Sequence, residues 1–437
     1  MKNVKDTAMN THFDIIVVGG GLSGASASIT AARMGKSVLL IEKYNCLGGV
    51  ASFGPVIPFM ANYTHDPITG ERLELSGGLY LEILDSLNKV SRPQSPWPEC
   101  FSEEYLKLVL NRMAQESGVE LLYQSVVTDV KRSGEWIKSI TVHNVSGNTE
   151  YTADCFIDAT GDGNLCYMAG YPFRLGRDSD KRCQPMTLCF RIGNVNTDSF
   201  KKEHQRINTL WSKMQAEGKI KNPRENLLIF HTVGEGVLHF NSTRVIGLDP
   251  TNAEEVTRAE IEAREQVFEI YNFLTNNFSA FKDSVLLSTG MQIGVRESRK
   301  IIGEYTITEE DIKDCKRFYD GIALCNYDMD IHSPDGGGTS HYYLEKGEYY
   351  SIPYRCLIPK GSKNLLVTGR CISATHEAQS SLRIMPCCIA LGQASGVASA
   401  LFDKSTGGVS DIDINTLKQS LIDMGASLED RIIKKPH

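Results

Sequence analysis

The 437-residue sequence holds no C-x-x-C pair, although it has 12 cysteines. Thiols at that spacing are what zinc ribbons and thioredoxin-like motifs need, so neither a metal site nor a disulfide scaffold is indicated. No apolar run reaches the length of a membrane span. The opening stretch, MKNVKDTAMNTH, is polar and lacks the apolar centre of a signal peptide, so it reads as a loose arm. There is no basic excess. The net charge is −7, and no nucleic-acid partner is expected. Internal repeats and low-complexity tracts are also missing. What remains is ordinary globular composition, with 41% apolar and 8% aromatic residues, in a chain long enough for two domains or one large domain with an insertion. The expectation is a soluble protein of a reducing cytoplasm.

The most informative stretch is FDIIVVGGGLSGASASITAARMGKSVLLIEK, from Phe13. Phe13 to Val18 is short, β-branched and apolar throughout, as in a strand buried on both faces of a parallel sheet. Ser23 to Arg33 reads as a helix ending near Gly35, and Ser37 to Ile41 as a second strand. Gly19, Gly21 and Gly24 therefore fit G-x-G-x-x-G in a strand, turn, helix, strand context. Gly19 permits the tight turn, Gly21 admits a pyrophosphate close to the backbone, and Gly24 lets helix and strand pack. Free N–H groups at the helix start suit that anion. Glu42 follows about 20 residues on, where a carboxylate accepts both ribose hydroxyls and repels a 2′-phosphate. A bare glycine turn without ligand is the competing reading, and the acid and flanking elements count against it.

Further along, Gly48-Gly49 opens an irregular segment. SGGLYLEILDSLNKV and SEEYLKLVLNRMAQESG read as helices, the second capped by Ser102 and stopped at Gly118. Short alternating strands with turns at Ser133-Gly134 and Ser146-Gly147 read as a β-meander, and CFIDAT as another buried strand breaking at Gly161. From about Arg174 charges become dense, helices long and strands few, which suggests an inserted domain. The apolar strand returns at KNLLVTGRCIS, and PCCIALGQASGVASALF is a helix with proline at its start. The fold class expected is α/β: a Rossmann-like dinucleotide-binding domain with β-meander over 12–173 and 356–405, an inserted mixed α+β substrate domain over 174–355, and a helical tail over 406–437.

Four motifs make a family recognisable: the glycine unit at Gly19, Gly48-Gly49 after the acid, FIDATGDGNLCYMAG, and NLLVTGRCISATHEAQSSLRIMPCCIALGQASGVASA. The chain resembles the FAD-dependent oxidoreductase family of the glutathione-reductase-like (GR2-type) flavoproteins, from Phe13 to about Phe402. IGVRESRKIIGEYTITEEDI and YDMDIHSP resemble that family's middle region. The resemblance implies non-covalent FAD. Gly19, Gly20, Gly21, Ser23 and Gly24 would hold its pyrophosphate, with Glu42 and Lys43 beside the adenosine ribose. Gly48, Gly49 and Val50 would run toward the flavin, Val127 beside adenine, and Ala159, Thr160, Gly161 and Asp162 over the same end. Gly369 would approach the ribitol. Relatives often carry Asp after that glycine, whereas this chain carries Arg370, a residue suited to phosphate. Met385 and Pro386 would start a helix aimed at the flavin pyrimidine, where its dipole favours the reduced, negatively charged ring. Cys46 sits where some relatives tether the flavin, and a packed thiol is the expected reading instead.

The substrate side is less marked. Arg296, Arg299, His332, Tyr354 and Arg383 are the candidate catalytic groups, all within or just after the inserted domain. Arginines suit a carboxylate through bidentate pairing, and His332 is a candidate general base. Arg296 and Arg299 also read as structural ion pairs with Glu297 or Glu304, and His332 as a loop histidine. The function implied is hydride exchange between flavin N5 and a small organic, possibly carboxylate-bearing, molecule. A flavoprotein acting on RNA, or an FAD-binding sensor or assembly subunit without turnover, are the alternatives. No oligomeric state follows.

Overall fold

The computed structural model describes residues 10–91, 99–232 and 234–435. Most of the polar arm at the N-terminus lies outside them. The chain starts with strand β1 (His12–Val18), helix α1 (Leu22–Arg33) and strand β2 (Val38–Ile41). β1 and β2 pair in parallel, Ile15 with Val38 through Val18 with Ile41, as the apolar runs predict. β3 (Glu120–Leu122) extends the sheet beside β2. The meander follows as β4 (Val126–Ser133), β5 (Trp136–Asn144) and β6 (Gly147–Asp158), turning at the two Ser-Gly pairs. β6 is long enough to do two jobs. Its first half closes the meander and its second half pairs in parallel with β1.

The next segment is the mixed α+β body expected, with more strand than the sequence shows. Four short strands, β7 (Phe190–Gly193), β8 (Ile229–His231), β9 (Leu238–Phe240) and β10 (Val285–Thr289), form an antiparallel sheet in the order β8-β9-β7-β10. Strands of three to five residues leave little alternation to read, which is why only the helices stood out. Those helices are α2 (Thr197–Ala216) and α3 (Ala253–Asn277), the latter capped by Asn252. In α3 Ala259, Ala263, Val267, Ile270 and Leu274 are buried at helical spacing, so one stripe faces the second core. That core runs only from Met186 to Ile293, and the residues from Ile301 to Ile358 pack into the first core instead. The inserted body is thus shorter than 174–355. The reason lies in the strand Arg299–Ile301, which pairs back onto Phe173–Leu175 and returns the chain to the larger unit.

A hairpin, β11 (Met329–His332) and β12 (Thr339–Tyr342), then leads to β13 (Leu365–Val367), which joins the main sheet beside β6. Helices α4 (His376–Leu382) and α5 (Met385–Leu401) follow, bent at 92° to each other. Among the described residues no single helix is long and apolar enough to cross a membrane. The C-terminal segment is not wholly helical. After the helix Ile414–Asp423, Ile433–Lys435 pairs antiparallel with Arg72–Glu74, so the tail is stitched to the body.

α5 is small-residue rich because it lies on α1. A Cβ at Gly392 would overlap the Ser23 carbonyl oxygen, and one at Gly396 would come within 2.5 Å of the Ala27 carbonyl oxygen. Backbone cannot yield as a side-chain tip can. Gly392→Val is expected to lower unfolding free energy by about 1–3 kcal/mol, the usual cost of overpacking, and to lower flavin content with it. An unchanged urea midpoint would show that α1 and α5 are free to part.

Candidate active site

A cavity of about 1060 Å³ runs between the glycine turn and the hairpin. Its floor is built from backbone. Gly19 has φ +103°, and a Cβ there would lie 2.5 Å from the Ala159 carbonyl oxygen; a Cβ at Gly24 would overlap the Gly19 carbonyl oxygen. These two glycines are therefore demanded by the protein itself. Gly21 differs, with φ −60° and nothing within 4 Å of an added Cβ. Only something lying in the cavity has a use for that space, as a pyrophosphate over the helix start does. The Gly48 N–H donates to the Gly20 carbonyl at 2.8 Å, lacing the second glycine pair to the first.

Glu42 directly follows β2 and lines the cavity. Its carboxylate accepts from the backbone N–H groups of Gly20 and Tyr44, so the acid also fixes the turn. Burial raises its pKa, and those N–H groups oppose the rise. Lys43, Gly49, Val50, Val127, Ala159, Thr160 and Gly161 line the same cavity, as do Ser23, Gly48 and Met385. The buried Asp158 accepts from Thr160 N–H at 3.0 Å and Cys166 N–H at 2.8 Å, which shapes the turn that presents them. Gly20, Gly24 and Gly369 are not on the wall. Gly369 takes φ +80° and packs where a Cβ would meet the Ser23 hydroxyl, so packing rather than ligand approach demands it.

Arg370 reaches the wall and donates to Asp162 at 2.6 Å. Asp162 is half-buried, and the Arg370 charge and the Ser298 hydroxyl outweigh the cost of that burial and lower its pKa. The other arm of Arg370, Nη1, is buried without a hydrogen-bond partner. An open cradle at Gly21, an acid at the end of β2 and an unpaired guanidinium arm fit a dinucleotide. The first turn of α5 comes to the wall through Ile384, Met385 and Cys388. Cys46 is buried and off the wall, in keeping with a non-covalent cofactor.

The remaining wall is crowded with charge. Arg224, Arg296 and Arg383 line it, and Arg244 stands behind with its side chain 1% exposed. Two of these were not legible in the sequence. Arg224 lies in a loop whose backbone is held by α2 and α3. Trp211 Nε1 and Gln215 donate to the Arg224 carbonyl, at 2.8 Å and 2.9 Å, and Glu269 accepts from Lys221 and Asn222. The Arg244 backbone is clasped in both directions by Gln266 of α3, at 2.7 Å and 3.0 Å. The buried Gln266, on the apolar stripe of a charged helix, is the trace left in the sequence. Beside these four guanidiniums stand Asp330 and Glu225, while Glu260, also on the wall, is taken up by Arg264 and the Ile293 N–H. Burial lowers the pKa of Arg296 first, and Arg383 and Arg224 lower it further. The site is short of negative charge.

His332 lies among these arginines. Its Nδ1 is 3.3 Å from Arg224 Nη1 and 3.1 Å from Arg244 Nη2. A guanidinium only donates, so Nδ1 is bare and the ring proton sits on Nε2, 3.3 Å from Asp330 Oδ2. Burial, then Arg296, push its pKa down to about 2 against the pull of Asp330. Both nitrogens are engaged, so the expected general base is not free to act as one. Tyr354 is also corrected. It is 1% exposed, off the wall, and donates to the Val409 carbonyl at 2.8 Å. Arg299 lines the cavity near Asp162, bonded to Asn164 at 3.0 Å and lying over the Tyr167 ring. Neither Arg296 nor Arg299 pairs with Glu297, whose partners are Lys300 and His376. Arg296 instead donates to Pro185 O and Thr187 Oγ1.

The FAD dependent oxidoreductase family profile matches residues 14–421. The chain belongs to that family, and FAD is its cofactor. Among curated proteins it is 30% identical over 101 residues to a soluble pyridine nucleotide transhydrogenase of Photorhabdus laumondii, covering 21% of this chain and 22% of that one. It is 58% identical over 36 residues to the NADH:acrylate oxidoreductase of Vibrio harveyi, covering 8% and 4%. The matched segment thus spans about a fifth or less of these relatives' lengths. Among solved structures it is similar to a geranylgeranyl bacteriochlorophyll reductase-like protein of Thermoplasma acidophilum, with 14% identity, a TM-score of 0.43, and 94% and 82% coverage of the two chains. It is also similar to the flavin-dependent brominase Bmp2, with 13% identity, a TM-score of 0.44, and 94% and 83% coverage.

Gly21→Val is expected to fold with an unchanged circular dichroism spectrum and to purify without flavin, since the side chain fills space that no protein atom occupies. Retained flavin would reduce the motif to a turn. Acid precipitation of the unaltered protein is expected to leave the yellow colour in the supernatant, as FAD and not FMN. Colour in the pellet would mean a covalent tether.

Proposed function

We propose that the protein exchanges a hydride between flavin N5 and a small organic substrate bearing a carboxylate, within the glutathione-reductase-like flavoproteins. Bound FAD supplies the two-electron chemistry. The observation that carries the substrate class is the cluster of Arg224 and Arg244, both buried, with the half-buried Arg296 and Arg383, whose nearest carboxylates among the described residues are Asp330 and Glu225. Buried like charges are costly unless an opposite charge joins them, and a substrate carboxylate supplies one. Arg383 has the most freedom to do so. Its Nη2 reaches Asp330 O and Gln184 Oε1 only at 3.4 Å and 3.5 Å, and its Nε has no partner. It also ends α4 directly before α5, whose first turn bears the partial positive charge suited to a reduced flavin.

The test is an oxygen-free screen that follows flavin bleaching with short carboxylates and with their neutral amide or alcohol analogues. Bleaching by carboxylates alone supports the reading. Bleaching by none, with flavin bound, would instead make the protein a sensor. Arg383→Met keeps the side chain's apolar length and removes the charge. It is expected to fold and retain FAD, with a lower flavin reduction potential. kcat/KM for the carboxylate should fall about 10- to 100-fold, the equivalent of one charge-assisted hydrogen bond. An unchanged potential and rate would remove Arg383 from the site.

A further inference from the structure

With His332 held neutral between two arginines, the site needs another group to handle the proton that accompanies a hydride. The hairpin supplies one. From Asp328 it reads D-M-D-I-H, and from Thr339 T-S-H-Y-Y. The register sets Asp330 opposite His341 and His332 opposite Thr339. Side chains alternate along a strand, so Asp328, Asp330 and His332 share a face with Thr339, His341 and Tyr343, while Met329 is buried on the other. Asp330, His332, Thr339 and His341 all line the cavity.

His341 differs from His332 in every respect that matters for proton transfer. Its Nδ1 lies 2.5 Å from Asp328 Oδ2. A carboxylate only accepts, so Nδ1 carries the proton and Nε2 presents a lone pair. Nε2 is 3.9 Å from Asp330 Oδ1, so no hydrogen bond occupies it. The side chain is 38% exposed, against 7% for His332. It stacks on Tyr343 with ring centroids 5.5 Å apart. The charged groups around it are Asp328 and Asp330 on the hairpin, Arg383 at 3.8 Å from Asp330, and Arg224, Arg244 and Glu225 beyond His332. An imidazolium at His341 would thus lie between two carboxylates, with the guanidiniums one residue further away.

We propose that the Asp328–His341 pair, and not His332, carries the reaction's proton between the cavity and solvent. This rests on the reading that the cavity hosts two-electron exchange with a small molecule. In oxidation of an H–C–O–H or H–C–N–H group, the C–H bond breaks and its hydrogen leaves with both electrons, for which bound FAD would be the acceptor. The O–H or N–H proton passes to Nε2 of His341, and a C=O or C=N bond forms. His341 then releases the proton to water. Reduction runs through the same atoms in reverse.

The experiment uses the holoenzyme and a panel of reductants holding both carboxylates (glycolate, L-lactate, L-alanine) and neutral alcohols (ethanol, ethylene glycol). For whichever compound bleaches the flavin, the oxygen-free reduction rate is followed from pH 5 to 9. His341→Gln should slow it by about 10²- to 10⁴-fold, the range for a general acid or base, and remove the pH-dependent limb at full FAD content. Asp328→Asn should give a smaller loss. Imidazole should partly restore His341→Ala, because the exposed ring leaves an opening to solvent. His332→Gln should keep the limb. Diethyl pyrocarbonate followed by peptide mass mapping should label His341 and spare His332. An intact limb in His341→Gln, its loss in His332→Gln instead, or an unlabelled His341 would overturn the assignment. If a neutral alcohol proves to be the reductant, the carboxylate reading falls while the same profiles still decide the proton's route.

Discussion

The fold of the cofactor half depends on how closely backbone approaches backbone. Gly19 lies against the Ala159 carbonyl, Gly24 against the Gly19 carbonyl, Gly392 against that of Ser23 and Gly396 against that of Ala27. These contacts tie β1, α1, β6 and α5 into one stack with backbone against backbone at each of the four positions. The first turns of two helices are thereby brought to one cavity. Each contributes unpaired N–H groups and a partial positive charge, so the stack builds an electrostatic environment as well as a shape. A side chain at any of the four positions would separate the layers and move a helix terminus. Gly21 is the informative exception. The protein leaves room there, and only the cofactor accounts for a glycine.

The substrate half is organised by charge. Four guanidiniums are gathered at one wall, three of them (Arg224, Arg244 and Arg296) where burial disfavours charge, and they are held by neutral groups as well as by acids. Gln266 and Trp211 clasp the backbones of Arg244 and Arg224. Arg296 is held by the Pro185 carbonyl and the Thr187 hydroxyl. Neutral partners fix geometry without cancelling charge. A carboxylate partner for each arginine would have given a stable but inert network. The long helices of the inserted body therefore serve as brackets for arginines that lie outside them.

This division explains what the sequence revealed. The glycine unit, Glu42, the meander and the return at Arg370 were legible because each is a local pattern, in which a turn, a period or a cap is decided within a few residues. The four-stranded sheet was not, because strands as short as Ile229–His231 carry no period to count. Arg224 and Arg244 were missed for a different reason. Nothing in NPRENL or NSTRV marks an arginine as buried, since what holds it is a helix residue 13 positions away for Arg224 and 22 for Arg244. Tyr354 has suitable chemistry and lies near the chain's re-entry, yet it is a core residue whose hydroxyl ends on a carbonyl. Residue type names the available chemistry; distant neighbours decide whether it is used.

His332 and His341 show the same rule at its sharpest. They stand on adjacent strands, on one face, nine residues apart in sequence. D-x-D-x-H marked the first and left the second unremarked. Yet two of the arginines suited to an anion, Arg224 and Arg244, occupy Nδ1 of His332, while burial first and then Arg296 lower its pKa. Anion binding and proton transfer thus cannot share that ring. Alternation along the strand places a second imidazole beside Asp330, nearer solvent, where carboxylates rather than guanidiniums are the immediate neighbours. In the proposed reading the hairpin separates the two tasks by one residue pair in register, with Asp330 between them as the charge that both sides share.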